Sequence, residues 1–290
     1  MREPGSWEEL YRLAAERLGD RNEARWMVEE ASGERFGSAV EAPSEKAGRR
    51  MADMVGRRLS GEPLQYVLGS WAFRRLELMV DRRVLIPRPE TEQVVEAALG
   101  ELDRLAGAER AGPGKRATVV DLGTGSGAIA LSIARERAGV EVWATDSSPD
   151  ALAVARANLS GLAGFAATRV RIVEGDWWDA LPGDLRRRID LVVSNPPYIS
   201  TAEMAGLDRS VLDWEPRAAL EAGPRGTEAL EYLIASAPDW LRAGGALVVE
   251  MAPHQAGPLS EAARGAGFSE VAVMPDLADR PRSLVARGAP

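Results

Sequence analysis

Apolar residues in the first 60 positions recur at helical spacing, without the alternation that marks a strand. Leu10, Leu13, Ala14 and Leu18 fall at i, i+3, i+4 and i+8, one stripe of an amphipathic helix, and Met51, Met54, Val55 and Leu59 repeat the pattern. Trp26 and Met27 are the expected core anchors between them. The pattern predicts a small helical domain over residues 1–61, ending near Ser60-Gly61. Residues 62–69 then cross as a linker. Leu76, Leu78 and Val80 alternate with Glu77, Met79 and Asp81, a strand pattern, and Val84-Leu85-Ile86 reads as a second short strand after a turn near Asp81-Arg82-Arg83. Residues 62–92 are thus expected to be a linker carrying a β-hairpin. Pro87 and Pro89 end it, and Pro89 or Glu90 opens a helix running toward Leu105.

Gly112-Pro113-Gly114 breaks the chain, and the period changes beyond it. Strand-like runs at 118–122, 141–145, 170–174, 189–194 and 246–251 alternate with helical runs that start at Ala128 and Pro149 and span about 227–241. Such alternation predicts βαβ units and a mostly parallel, doubly wound α/β sheet. Residues 271–274 and 283–286 would complete it as a terminal pair, giving a seven-stranded domain over 93–290. There is no internal repeat and no low-complexity tract.

Composition narrows the chemistry. With 290 residues, 45% hydrophobic and 28% charged, the chain fits a soluble globular enzyme with one large and one smaller domain. No run approaches the roughly 18 apolar residues of a membrane helix, and Met1-Arg2-Glu3-Pro4-Gly5 leads into no signal-like stretch, so the expectation is cytoplasmic. The absence of cysteine excludes disulfides, thiolate metal sites and cysteine nucleophiles. One histidine, His254, cannot build a multi-histidine metal site, and no Gly-x-Ser-x-Gly elbow accompanies it for a hydrolase triad. The formal charge of −8 argues against affinity built on phosphate contacts. The pairs Arg49-Arg50, Arg57-Arg58, Arg74-Arg75 and Arg82-Arg83 are candidates for a local basic patch, though such pairs are more often solvated helix or hairpin faces.

Asp121-Leu122-Gly123-Thr124-Gly125-Ser126-Gly127 ends one strand and opens a helix, which sets backbone N–H groups against a ligand. Gly123 permits the tight turn and Gly125 close backbone approach. Asp146 ends the next strand, roughly 20 residues past Gly127, where a carboxylate can accept from both ribose hydroxyls. Gly123-x-Gly125-x-x-Ala128 also satisfies the dinucleotide fingerprint, so the loop alone leaves NAD and S-adenosylmethionine open, beside a turn that serves only packing. Two features favour S-adenosylmethionine. Asp121 stands where NAD would bring a negative pyrophosphate and can serve the methionine end instead. Glu174-Gly175-Asp176-Trp177 ends the third strand, setting a carboxylate and an indole where adenine would lie; Trp177 and Trp178 read equally well as packing.

Asn195-Pro196-Pro197-Tyr198 follows the fourth strand, at the edge where open α/β sheets bind ligands. Consecutive prolines fix φ and remove two N–H donors, aiming the local carbonyls rigidly. The Asn195 side-chain carbonyl and the Pro196 carbonyl can each accept one hydrogen of an NH₂ group, with Tyr198 as a flat face beside a planar group. An amide nitrogen is a poor nucleophile, so orientation must supply much of the acceleration, on the order of 7–11 kcal/mol for well-positioned reactants. The competing reading is a proline-rich turn that merely ends a strand.

These motifs, with Glu62-Pro63-Leu64-Gln65-Tyr66-Val67-Leu68-Gly69, Val84-Leu85-Ile86-Pro87-Arg88-Pro89-Glu90-Thr91-Glu92, Ala144-Thr145-Asp146-Ser147-Ser148-Pro149-Asp150-Ala151-Leu152 and Glu215-Pro216-Arg217-Ala218-Ala219-Leu220, resemble the HemK/PrmC-type glutamine methyltransferases that modify peptide-chain release factors. The resemblance runs from about Glu62 to the C-terminus; the N-terminal helices match only in character. It implies a Rossmann-like S-adenosylmethionine-dependent methyltransferase domain and methyl transfer to the side-chain nitrogen of the glutamine in a Gly-Gly-Gln motif. By that analogy Asp121, Gly123, Thr124, Gly125, Ser126, Gly127, Asp146, Asp176, Trp177 and Asn195 contact the cofactor, while Asn195, Pro196, Pro197 and Tyr198 hold the glutamine. The helical domain and hairpin would grip a class 1 release factor. No metal, nucleic-acid or membrane partner is expected, and the chain is expected to be a monomer. Arg88 and Glu90 would either line the pocket or order the hinge. Two departures bear on partner contacts: Trp71-Ala72-Phe73-Arg74-Arg75-Leu76 lacks the glycine the family often carries after its aromatic residue, and Asp276-Leu277-Ala278-Asp279-Arg280-Pro281-Arg282 is shorter than usual. The rival readings are a sibling enzyme acting on a ribosomal-protein glutamine and an adenine N6-methyltransferase gripping a flipped base. A silent S-adenosylmethionine-binding module would have damaged motifs, and an NAD oxidoreductase would leave the Asn-Pro-Pro-Tyr loop unexplained.

Overall fold

The computed structural model describes residues 6–38, 42–108, 116–162 and 164–288. The breaking Gly112-Pro113-Gly114 and the opening Met1-Arg2-Glu3-Pro4-Gly5 lie outside the described residues. The chain divides into two compact units: Met1–Trp71 with Asp208–Trp214, and Ala72–Leu207 with Glu215–Pro290.

Among the described residues the first stretch of the smaller unit holds four helices: α1 (Trp7–Leu18), α2 (Arg21–Ser32), α3 (Glu45–Leu59) and α4 (Leu64–Leu68). Ser6, Asp20 and Ser44 cap the first three with side-chain oxygens, each accepting from a backbone N–H two or three residues on. Gly19 and Gly33 close the first two in the left-handed conformation. Leu10, Ala14, Met27, Met51, Met54 and Val55 form the core, joined by Leu64 and Val67. Met27 is fully buried, and the Trp26 ring meets Trp71 edge-on at 6.1 Å. Leu13 and Leu59 are exposed: the buried line on α1 runs through i and i+4, and Leu59 sits in the last turn of α3. Residues 62–69, expected as a linker, contain α4, whose Leu64 and Val67 complete this core.

Strands β1 (Ser70–Phe73) and β2 (Leu76–Met79) form a two-stranded hairpin. The hairpin expected between 76–81 and 84–86 is therefore displaced, turning instead at Arg74, whose φ is 50°. Residues 84–86 form no strand: Val84 N–H closes a turn onto Asp81 O at 3.1 Å, and Ile86 N–H donates to the Glu215 side chain at 3.2 Å. Helix α5 (Thr91–Ala108) follows.

The larger unit continues with β3 (Ala117–Leu122), α6 (Ala128–Glu136), β4 (Val140–Asp146), α7 (Pro149–Gly161), β5 (Val170–Glu174), β6 (Ile189–Ser194), β7 (Ile199–Ser200) and α8 (Thr201–Met204). Helix α9 (Arg209–Leu212) belongs to the smaller unit. Then come β8 (Glu221–Gly223), α10 (Glu228–Ser236), β9 (Leu241–Glu250), α11 (Ala256–Gly265), β10 (Glu270–Pro275) and β11 (Pro281–Arg287). The helix expected to reach 241 stops at Ser236, because Pro238 has no N–H to continue it, and Leu241 already opens β9.

Among the described residues seven strands make one sheet in the order β10-β11-β9-β6-β3-β4-β5, all running the same way except β11, which pairs antiparallel with both β9 and β10. Alternate residues feed opposite faces: Val119, Leu191 and Val193 pack on one side, Val120, Val192 and Leu247 on the other. The order reverses at β3, which pairs with β4 on one side and β6 on the other, Asp121 lying opposite Val193. The loops after β3 and β6 therefore emerge side by side, at the switch point where such sheets bind ligands. Among the described residues no helix is long and apolar enough to cross a membrane.

Candidate active site

A cavity of about 360 Å³ opens at this switch point, and every residue lining it belongs to the larger unit. Its floor is the glycine loop. Gly123, Gly125 and Gly127 have φ of 72°, 55° and 86°, values that favour glycine. Thr124 N–H donates to Thr145 O and Gly127 N–H to Thr124 O, closing the turn before α6. A Cβ on Gly125 would meet nothing within 4 Å.

Two carboxylates approach this loop. Asp146, at the end of β4, lines the cavity; its Oδ2 accepts from Gly125 N–H and its Oδ1 from Ser148 N–H, each at 2.9 Å. Burial pushes its carboxyl above the ordinary range against those two bonds. Asp121 is not on the cavity wall but beneath the loop, fully buried. Its Oδ2 accepts from Thr124 Oγ1 at 2.6 Å and Ala130 N–H at 3.1 Å, and its Oδ1 has no partner. Burial pushes this carboxyl up to about 7, opposed by the bonds from Thr124 and Ala130.

The two tryptophans separate. Trp177, held at φ 45°, lines the cavity with Asp176, its ring within 3.6 Å of where a Gly123 Cβ would stand. Trp178 is buried and stacks on Trp240 with centroids 5.6 Å apart. Gly175 sits against Ala180 so closely that a Cβ would lie 2.6 Å from its Cα.

The loop after β6 forms the facing wall. Ser194 Oγ donates to Leu122 O at 2.6 Å, stitching the ends of β6 and β3 together. Asn195 and Pro197 line the cavity; Pro196 is buried and Tyr198 half-buried, neither on its wall. Asn195 Nδ2 donates to Thr91 Oγ1, and Tyr198 Oη donates to Glu250 Oε1. Burial, then the Glu250 charge, pushes the Tyr198 phenol well above its usual range. The Tyr198 carbonyl accepts from Gln255 Nε2 at 2.9 Å, and a Cβ on Gly226 would crowd this strand at 2.8 Å from Ser200 N.

Sequence reasoning assigned no role to several wall residues. Val84, Leu85 and Pro87 enter from the segment before α5, and Pro216, Ala218 and Ala219 from the segment before β8. Glu215, buried, ties the two: it accepts from Ile86 N–H and pairs with Arg88. Glu90 pairs with Arg280, so Arg88 and Glu90 order loops rather than line the cavity. Both segments were visible as motifs; their roles depend on contacts across 120 or more residues. The arginine pairs are largely neutralised: Arg49, Arg50, Arg57, Arg58, Arg74 and Arg83 each bind a carboxylate. No group of three or more metal-ligating side chains occurs among the described residues.

The arrangement suits a nucleoside held between the Asp146 carboxylate and the Trp177 indole, with its far end at Asn195. The methyltransferase small domain family matches residues 108–209. The chain is 42% identical over 241 residues to the release factor glutamine methyltransferase of Moorella thermoacetica, covering 83% of this chain and 80% of that protein. It is 42% identical over 267 residues to the one of Bordetella pertussis, covering 92% and 90%. Among solved structures it is similar to the N-terminal domain of human METTL16, with TM-score 0.52, 16% identity and 86% and 84% coverage. A methyltransferase from Pyrococcus furiosus gives TM-score 0.50, 17% identity and 81% and 98% coverage. The fold is thus the Rossmann-like one of S-adenosylmethionine-dependent methyltransferases.

Proposed function

The chain belongs to the family of release factor glutamine methyltransferases, and from that membership we propose that it transfers a methyl group from S-adenosylmethionine to the side-chain amide nitrogen (N5) of the glutamine in the Gly-Gly-Gln motif of class 1 peptide chain release factors. The observation that carries the reading is the adjacency on one cavity of the glycine turn after β3 and of Asn195 and Pro197 from the loop after β6.

The residues fit the cofactor. Gly125 leaves open space where any side chain would intrude, and Asp146 retains lone pairs to accept from ribose hydroxyls beyond its two backbone bonds. Trp177 offers an indole for the adenine, and Gly123, Thr124, Ser126 and Asp176 complete this side; Gly127 is not on the wall and closes the turn against Leu131 and Ala155. Bound there, S-adenosylmethionine supplies a methyl group already activated on a sulfonium. The chain's own residues then act on the substrate. Asn195 Oδ1 and the Pro196 carbonyl accept the two amide hydrogens, which aims the nitrogen at the cofactor. Pro196 and Pro197 keep those acceptors from turning away, and Tyr198 flanks the planar amide. We assign the grip on the release factor to the helical unit.

The test incubates purified protein and labelled S-adenosylmethionine with unmodified release factor, a ribosomal-protein substrate and adenine-containing oligonucleotides in parallel, and locates the label by mass spectrometry. Methyl on the Gly-Gly-Gln glutamine supports the proposal. Label only on the ribosomal protein or adenine overturns it. Asn195→Ala is expected to lower kcat by roughly 10²-fold, the scale of losing one preorganised hydrogen-bonding group, with cofactor affinity nearly unchanged.

A further inference from the structure

Both ends of the Asn195-Pro196-Pro197-Tyr198 loop lead to one buried carboxylate. Glu250, the last residue of β9, is 1% exposed and sits beside the end of β6, where Val249 pairs with Ser194. Its Oε1 accepts from Tyr198 Oη at 3.1 Å and its Oε2 from Thr91 Oγ1 at 2.7 Å. Thr91, the first residue of α5 and 3% exposed, in turn receives Asn195 Nδ2 at 3.2 Å.

Proton counting makes this chain directional. An ionised carboxylate only accepts, and a hydroxyl has one proton to give. Thr91 and Tyr198 both spend theirs on Glu250. Thr91 Oγ1 is then left with lone pairs alone, so the atom of Asn195 that meets it must be the NH₂, and Oδ1 faces the other way. An Asn amide turned over would present donors to a substrate NH₂, which has none to receive. Burial raises the Glu250 carboxyl, and the two hydroxyl bonds and the Arg282 charge oppose that rise.

We propose that Glu250 is a positioning residue that acts through Thr91 to fix which atom of Asn195 meets the substrate, and holds Tyr198 with the same carboxylate. The proposal deepens the reading of the reaction given above and rests on it for the identity of the substrate. Glu250→Gln keeps the shape but has one acceptor oxygen where the carboxylate has two, so Thr91 and Tyr198 cannot both donate to it; with its NH₂ toward Thr91, the Thr91 proton is freed for Asn195 and the amide turns over. Thr91→Val removes the relay at nearly constant volume; Thr91→Ser keeps it.

The experiment measures kcat on release factor, cofactor affinity and melting temperature for the three variants. It also follows the Asn195 side-chain amide resonance, identified by its loss in Asn195→Ala. We expect kcat to fall about 10- to 100-fold in Glu250→Gln and Thr91→Val, the range for removing a partner that orients a ligating group. Cofactor affinity should hold, and Thr91→Ser should stay within a few-fold of wild type. The Asn195 amide protons should exchange slowly with water in wild type and Thr91→Ser, and rapidly in the other two. Near-normal kcat in Glu250→Gln and Thr91→Val, or an Asn195 resonance indifferent to both, overturns the proposal. If wild-type protein leaves release factor unmethylated, the substrate reading fails instead, and the amide resonance still decides the orientation.

Discussion

Asp121 and Asp146 end neighbouring strands and touch the same glycine loop, yet they differ in what they face. Asp146 lines the cavity, while Asp121 lies beneath the turn with one oxygen unpartnered. Asp146→Ala should weaken S-adenosylmethionine binding by roughly 1–3 kcal/mol, the scale of hydrogen bonds to a charged acceptor; unchanged affinity by calorimetry would mean the ribose is held elsewhere. Asp121 bears on stability. Its folded value, about 7, exceeds the unfolded one, so between about pH 4 and 7 the native state keeps a proton that the unfolded chain has released. Its stability contribution is therefore full below pH 4 and declines as pH rises, by up to about 1.4 kcal/mol per unit for one proton. Thermal unfolding without cofactor from pH 4 to 8 should show this decline, and Asp121→Asn should flatten it. Residue types and spacing sufficed to find these two acids. They could not tell which one the turn would bury.

At the scale of elements, the parallel strands were legible because each is an apolar run closed by a turn signal, as 170–174 and 189–194 illustrate. The hairpin was not. Arg74 carries its turn at φ 50° without the glycine that would announce one. It is held by Glu136 through two charge-assisted bonds and by Glu92 through its backbone N–H. Those partners lie up to 62 residues away, beyond any local pattern. Arg74→Ala keeps the strain and loses the ion pair, whereas Arg74→Gly loses the strain along with the ion pair. Their melting temperatures should differ in favour of glycine by the equivalent of about 1–2 kcal/mol, the penalty of a side chain in the left-handed region. Equal stabilities would mean that the turn rearranges. Gly226 reports on the reaction loop in the same way. Gly226→Ala would press a Cβ between Tyr198 O and Ser200 N, and should cost both stability and kcat while sparing cofactor affinity, read by unfolding and turnover on one preparation.

At the scale of the whole molecule, the cavity and the helical core lie in different units. Every residue lining the cavity lies in the larger one. Met27→Ala should cost the helical unit about 2–5 kcal/mol and open it to protease within residues 7–68, with S-adenosylmethionine affinity by calorimetry unaltered. Weakened affinity would instead couple the two. Helical periodicity made the smaller unit legible up to residue 59, but not its last piece, Asp208–Trp214, which is polar, short and far along the chain. That late piece sets a schedule for biosynthesis. At about 5–20 residues per second, the stretch from the end of α4 to Trp214 takes a ribosome roughly 7–30 s to translate. Meanwhile Gly61 lacks the Trp214 indole that neighbours it in the finished protein. The helical unit therefore cannot close when its own helices have emerged but only after most of the larger unit has followed, and an amino-terminal fragment made alone would leave that seam open to whatever it meets.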